Sequence, residues 1–342
     1  MLWNLKMEKN ENNDKSNDFL NKIKENYNHQ DIVKINYFFH LNEKEIYDSH
    51  NEYICTYIIQ NNTTFDLYFA LKHVSSGEGF IFDKQNKIYI KAHTQMISKL
   101  IIDYNNNYLI SCSYDKNIII WDLNNISNNS KKLSVLKGHK GRIYDMDLMT
   151  DKNELLSCGM DKNILLWDIQ NFVLIKKIYL NSNIHNLLVK YLYISDCFEK
   201  KSDKEFIFIY SKNKVINIID FDNNEIIVNF NICSNDGSIL FLNDEEFLFQ
   251  NKKSYNIILY NLKNKNHKDI LFGCKNEIQI IQKHQKGNKI ISFDKDNNIK
   301  IWNFRNKFCE LTIKIDFVVN CLYIDINGNL FCGSINKIYI YK

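Results

Sequence analysis

From Tyr53 onward the chain alternates short apolar runs with polar turns rich in Asn, Asp and Lys. Three stretches carry the rhythm most clearly: LISCSYDKNIIIWDL (109–123), LLSCGMDKNILLWDI (155–169) and IISFDKDNNIKIWNF (290–304). In each, one apolar run reaches a polar turn and a second follows, ending in Trp-Asp or Trp-Asn. Side chains of a strand point alternately to its two faces, so the pattern predicts β-hairpins with inward and outward positions alternating. Fainter copies fill the gaps. One set is YICTYII (53–59), LYFALKH (67–73) and GFIFDK (79–84). Others start at IHNLLVKYLYI (184–194), SILFLN (238–243) and VVNCLYID (318–325), each followed by two further apolar runs. No apolar run approaches the ~18 residues of a membrane-crossing helix.

The hairpins are parts of a longer repeat. AHTQMISKLII (92–102) and GHKGRIYDMDL (138–148) precede the first two, each opening with a small residue and His. The intervals among His93, Ser111, Asp115 and Trp121 recur among His139, Ser157, Asp161 and Trp167. In these residues the chain resembles the WD40 family. The resemblance implies an all-β, seven-bladed propeller and a buried hydrogen-bonded tetrad at those four positions. The residue types suit such a network, since the indole donates, the hydroxyl and imidazole relay, and the carboxylate accepts. Removing one member strands the others, at about 1–3 kcal/mol. The same intervals counted back from Trp302 meet Asp296, Ser292 and then Cys274, within FGCKNEI (272–278), where His is expected. That tetrad is expected to be incomplete and its blade less rigid.

Residues 32–342 divide into seven repeats of about 44 residues, a WD40 period. The last copy ends at its third strand, KIYIYK (337–342), so an earlier strand is needed to complete the last blade. IVKINYFF (32–39) is the expected closing strand, which would remove an open sheet edge. Residues 1–31 read as a polar tail, disordered in NENNDKSND, with a short amphipathic helix where Phe19, Leu20, Ile23 and Tyr27 share a face. The opening MLWNL resembles the end of a third strand.

Composition narrows the chemistry. The 342 residues are 45% hydrophobic and 25% charged, ordinary for a globular chain, and a net charge of +4 gives no argument for nucleic acid or membrane. Nine cysteines lie scattered without a Cys-x-x-Cys pair, which argues against a zinc cage and for reduced thiols. Cys112, Cys158 and Cys332 recur at one strand position and read as packing residues. DKDNN (294–298) begins like a calcium loop, but Ile299 and Arg305 stand where Gly and Glu are required, so it reads as a turn. SSGEG (75–79) and DINGN (325–329) are turns as well. No His has metal-binding spacing, and no nucleophile, base and oxyanion site assemble. No enzyme, cofactor or metal is expected. The N-terminus lacks a signal-peptide apolar core, so the expected place is nucleus or cytoplasm.

Within the propeller class, SCGMD (157–161), DSHNEYICTYI (48–58) and GEGFIFDKQ (77–85) resemble the Polycomb-group WD40 subunits of the EED/ESC type. That resemblance implies a noncatalytic scaffold of a histone methyltransferase complex, with a SET-domain methyltransferase or a histone tail as partner. It also implies an aromatic cage for trimethyl-lysine. Only Tyr53 matches a cage position; Gln279 and Ile280 fall where the family carries a Trp-Tyr pair. Protein partners are expected at the turns between second and third strands, through Tyr114, Met160 and Lys295, each just before the turn Asp, and at Arg142 on an entering loop. The alternative is an RNA-associated scaffold, with KHQKGNK (283–289) and KNKNHK (263–268) as its basic runs.

Overall fold

The computed structural model describes residues 47–48, 53–61, 63–125, 132–150, 152–179, 191–193, 205–211, 215–220, 225–231, 240–242, 246–250, 254–261, 266–284, 289–325, 327–335 and 337–341. The chain separates into two units, Met1–Lys44 with Tyr341–Lys342, and Glu45–Ile340. The first lies outside the described residues except for Tyr341, and with it the expected tail, its helix and the strand at 32–39.

The strands of the second unit pair into four-stranded antiparallel sheets, seven among the described residues. The first sheet is Tyr53–Gln60, Leu67–His73, Gly79–Asp83 and Ile88–His93. The second is Ile97–Asp103, Tyr108–Ser113, Asn117–Asp122 and Lys132–Lys137. The third is Ile143–Met149, Glu154–Gly159, Asn163–Asp168 and Val173–Tyr179. A fourth (191–231) and a fifth (240–271) come next in the same order. The sixth is Ile278–Lys283, Lys289–Asp294, Asn298–Asn303 and Phe308–Lys314.

The seventh sheet is built differently. Cys321–Ile324, Leu330–Gly333 and Lys337–Tyr341 supply three strands, and Tyr47–Asp48 pairs with the last of them. The expected closing strand at 32–39 is thereby corrected to Tyr47–Asp48, whose Tyr47 faces Ile338. The reason is connection length. Outer strands pass to the next sheet through short links from His93 to Ile97 and from Lys137 to Ile143, and Tyr47–Asp48 stands at a similar distance before Tyr53.

The chain makes these turns with 10 glycines and no proline. Asx turns replace them. Asp83 Oδ1 accepts the N–H groups of Gln85 and Asn86, Asp103 those of Asn105 and Asn106, and Asp168 those of Gln170 and Asn171. A side-chain carboxylate bonding two residues onward mimics a backbone turn. Left-handed backbone then falls on residues such as Lys87, Asn107, Lys116, Asn153 and Lys162.

Apolar residues on both faces of the first and second sheets pack against the sheets on either side. Trp121 and Ile119 join Ala70, Ile81 and Ile90 of the first sheet. Their strand neighbours Ile118 and Ile120 point the other way, to Met146, Leu165 and Trp167 of the third. Phe69, Leu71 and Phe82 of the first sheet meet Phe331, Ile338 and Ile340 of the seventh. Gly138 must lack a side chain, because a Cβ there would lie 2.7 Å from the Trp167 ring.

Neighbouring first strands are tied directly. Four of them carry a bulge, at Thr56, Ser98, Tyr144 and Gln279. Thr56 Oγ1 donates to the Ile97 carbonyl at 2.9 Å, and Ser98 Oγ donates to that of Ile143 at 2.9 Å. One residue on, Lys99 of the second sheet forms an ion pair with Asp145 of the third at 2.7 Å. Gln250, at the end of the fifth sheet's second strand, ties that sheet to the sixth, accepting the Ile278 N–H at 2.7 Å and donating to the Asn276 carbonyl at 2.8 Å. First and seventh sheets meet at Cys55, whose N–H donates to the Ser334 carbonyl and whose sulfur lies 3.5 Å from that of Cys321.

Candidate functional site

In the second sheet Trp121 Nε1 donates to Ser111 Oγ at 3.0 Å. Ser111 Oγ lies 2.8 Å from His93 Nε2, and His93 Nδ1 lies 2.9 Å from Asp115 Oδ2. The third sheet repeats the chain through Trp167, Ser157, His139 and Asp161 at 2.7, 2.9 and 3.0 Å. The carboxylate can only accept and the indole only donate, so the network is complete when Nδ1 carries the imidazole proton and Nε2 accepts from the serine. Each aspartate also accepts backbone N–H groups, Thr94 and Asn117 at Asp115, and Lys140 and Asn163 at Asp161. Tryptophan deep between strands is thus wired to the turn at the sheet's end.

Burial pushes both carboxyls up, but the hydrogen bond and attraction of His93 or His139, with the backbone donors, outweigh it and hold them below the usual aspartate range. A depressed folded-state pKa contributes stability that is full above the unfolded value near ~3.9. That stability is lost as pH falls through the lower folded value. Acid unfolding followed by circular dichroism is therefore expected to steepen below about pH 4. Asp161→Asn should flatten part of that slope; an unchanged slope would remove the tetrads from the acid response.

The sixth sheet keeps half of the network. Trp302 Nε1 donates to Ser292 Oγ at 2.8 Å. Cys274 is buried, its thiol pushed up to about 12 by burial, and no hydrogen bond joins it to Ser292 or Asp296 among the described residues. Asp296 is exposed and accepts from Asn276 Nδ2 at 2.9 Å, so its expected place in a tetrad is corrected. The cause is Asp294, two residues earlier. Asp294 Oδ1 takes the N–H groups of Asp296 and Asn298, the second being the turn donor that Asp115 and Asp161 bind in their own sheets. With no imidazole to hold it inward, Asp296 turns to solvent.

The turns that carry these aspartates form one end of the sheets. There the N–H of Met160 donates to the Arg142 carbonyl at 2.8 Å, and that of Tyr114 donates to Met96 at 3.0 Å. Two glycines permit the approach. A Cβ on Gly159 would lie 2.3 Å from the Arg142 oxygen, and one on Gly141 would lie 2.7 Å from the Asp161 nitrogen. The Arg142 guanidinium lies 5.2 Å from the Tyr114 ring centre. Tyr114 meets Tyr144 edge to face at 5.6 Å. Met160 is 55% exposed, Arg142 is exposed and the tyrosines are half-buried. Tyr114, Arg142 and Met160 therefore come together across the second and third sheets, with Tyr144 as a fourth member that sequence reasoning missed.

Lys295 and Tyr53 stand apart. Lys295 is on the sixth sheet, paired with Glu277 at 2.7 Å. Tyr53 packs among rings of its own sheet, edge to face with His73 and Phe80 at 5.1 and 5.4 Å and stacked on Tyr89 at 6.0 Å. Gln279 and Ile280 lie on the first strand of the sixth sheet. The Lys99–Asp145 pair was also missed. Its signal was present: the two oppositely charged residues occupy the same position after His93 and His139. Cys112 and Cys158 are fully buried, with burial pushing both thiols up, the first to about 12. Among the described residues no cluster of three His, Cys, Asp or Glu could hold a metal, and no helix is long and apolar enough to cross a membrane.

Antiparallel four-stranded sheets packed face to face, with a tryptophan-to-aspartate chain in successive copies, are the features of a β-propeller repeat protein. The WD40 family model, WD domain, G-beta repeat, matches residues 84–122 and 130–168. Each match contains one complete tetrad. Two WD40 repeats thus lie in the chain, and such repeats indicate a protein-interaction scaffold, typically non-enzymatic. No curated protein matches the chain.

Proposed function

We propose that the sheets form a closed seven-bladed propeller that acts as a noncatalytic scaffold, docking other proteins on the end that carries Tyr114, Arg142, Tyr144 and Met160. The observation that carries this reading is the exposure of that arginine and methionine beside two aromatic rings, on turns locked by tetrads. Exposed aromatic, arginine and methionine side chains are enriched at protein contacts. Closure is supported by the contact of the first sheet with the seventh through Cys55, Phe69 and Phe331.

Affinity purification of the tagged full chain, followed by mass spectrometry, tests the scaffold. A stoichiometric set of partner proteins is the expected result, and a chain that purifies alone under mild conditions would count against it. The partner set also decides between finer readings. The SCGMD string supports a Polycomb-type subunit, for which a SET-domain methyltransferase should co-purify. The packing of Tyr53 among its own sheet's rings argues that trimethyl-lysine is not its ligand. Either a nuclear or a cytoplasmic assembly fits this reading.

A further inference from the structure

We infer that the patch of Tyr114, Arg142, Tyr144 and Met160 receives an acidic peptide segment, with a carboxylate on Arg142 and a neighbouring apolar side chain on Met160 and the tyrosine rings. The inference rests on the scaffold reading above and names the chemistry of the partner.

The charges select the occupant. Three described lysines have carboxylates of their own: Lys91 with Glu78 at 2.6 Å, Lys99 with Asp145 at 2.7 Å and Lys295 with Glu277 at 2.7 Å. Arg142 has the face of Tyr114 and, among the described residues, no carboxylate. A guanidinium laid over a ring keeps its N–H edge outward, the geometry that takes a carboxylate with two parallel hydrogen bonds. Lys140, exposed on the same entering loop, adds a second positive charge. The backbone bond from Met160 to Arg142, and the two glycines that allow it, hold the apolar and cationic parts in a fixed relation. A preorganised pair of this kind loses little side-chain freedom on binding.

A nucleic acid fits less well. Its affinity comes from many cations matched to a repeated phosphate charge. Here the strand that runs from Arg142 carries two aspartates, Asp145 and Asp147, and the patch's two rings meet edge to face instead of lying parallel for successive bases.

The test pans a phage-displayed library of random peptides against the immobilised full chain. The strongest peptide and a single-stranded RNA oligonucleotide are then titrated by fluorescence anisotropy. Enrichment of Asp or Glu beside an aliphatic or aromatic residue is expected. Arg142→Glu should weaken the peptide about tenfold or more, and exchanging the peptide's acid for lysine should recover part of that loss. Met160→Glu supplies a second variant should Arg142→Glu fold poorly. Peptides that bind both variants as well as the parent chain would sink this site while leaving the scaffold reading intact. Enrichment of no peptide would sink it too, leaving the scaffold to the purification experiment. RNA binding lost in Arg142→Glu would overturn it in favour of a nucleic acid.

Discussion

Lys99→Met is expected to lower the stability of the fold by about 3 kcal/mol. The Lys99 and Asp145 side chains are 21% and 13% exposed, and their ion pair joins the second sheet to the third. Burial pulls the Lys99 ammonium down, but Asp145 and its neighbours more than reverse this and hold the proton on. Removing the lysine leaves a carboxylate in a largely dry place, with the N–H of Met146 as its remaining described donor. Breaking one side of such a pair costs more than the pair itself is worth. Lys99→Met combined with Asp145→Leu should therefore recover most of the loss. Urea unfolding of the two variants decides the matter. A single variant within about 0.5 kcal/mol of the parent would mark the pair as an ordinary surface bridge.

The second large effect separates two serines in equivalent positions. Ser157→Ala strands Trp167 Nε1 and His139 Nε2 together, for a loss of about 3 kcal/mol. Ser292→Ala strands Trp302 alone, for about 1–2 kcal/mol. Equal losses would mean that the imidazole and carboxylate add nothing to the network.

The same two serines mark how far sequence could reach. Trp, Ser, His and Asp at fixed intervals are legible because one network needs all four types at once. The sixth sheet kept three of the letters, yet Asp296 does another job. Its fate was decided by Asp294, which competes for the same turn donors, and intervals do not register competition. The hairpins at 53–93 and 318–341 were legible from apolar alternation, which is what a sheet buried on both faces requires. The closing strand was missed because two residues carry no periodicity; it is defined by its partner far along the chain. Of the docking patch, Tyr114, Arg142 and Met160 were found from turn position. Tyr144 was not, because the bulge that turns it toward Tyr114 is a backbone feature.

The pairing of Tyr47–Asp48 with Lys337–Tyr341 sets the order in which the molecule can be finished. Cys55 and Cys321, which meet at the same seam, are 266 residues apart. At about 5–20 residues/s, the early strand leaves the ribosome roughly 15–60 s before its partner exists. Through that interval the first sheet presents the apolar face of Phe69, Leu71 and Phe82 to solvent. The intermediate sheets can fold as they emerge, since each is hydrogen-bonded from consecutive strands. The seam is a late, long-range step of the kind that slows folding. The nascent chain therefore carries an uncovered apolar sheet face through most of its synthesis, a surface that a cotranslational chaperone would have to guard.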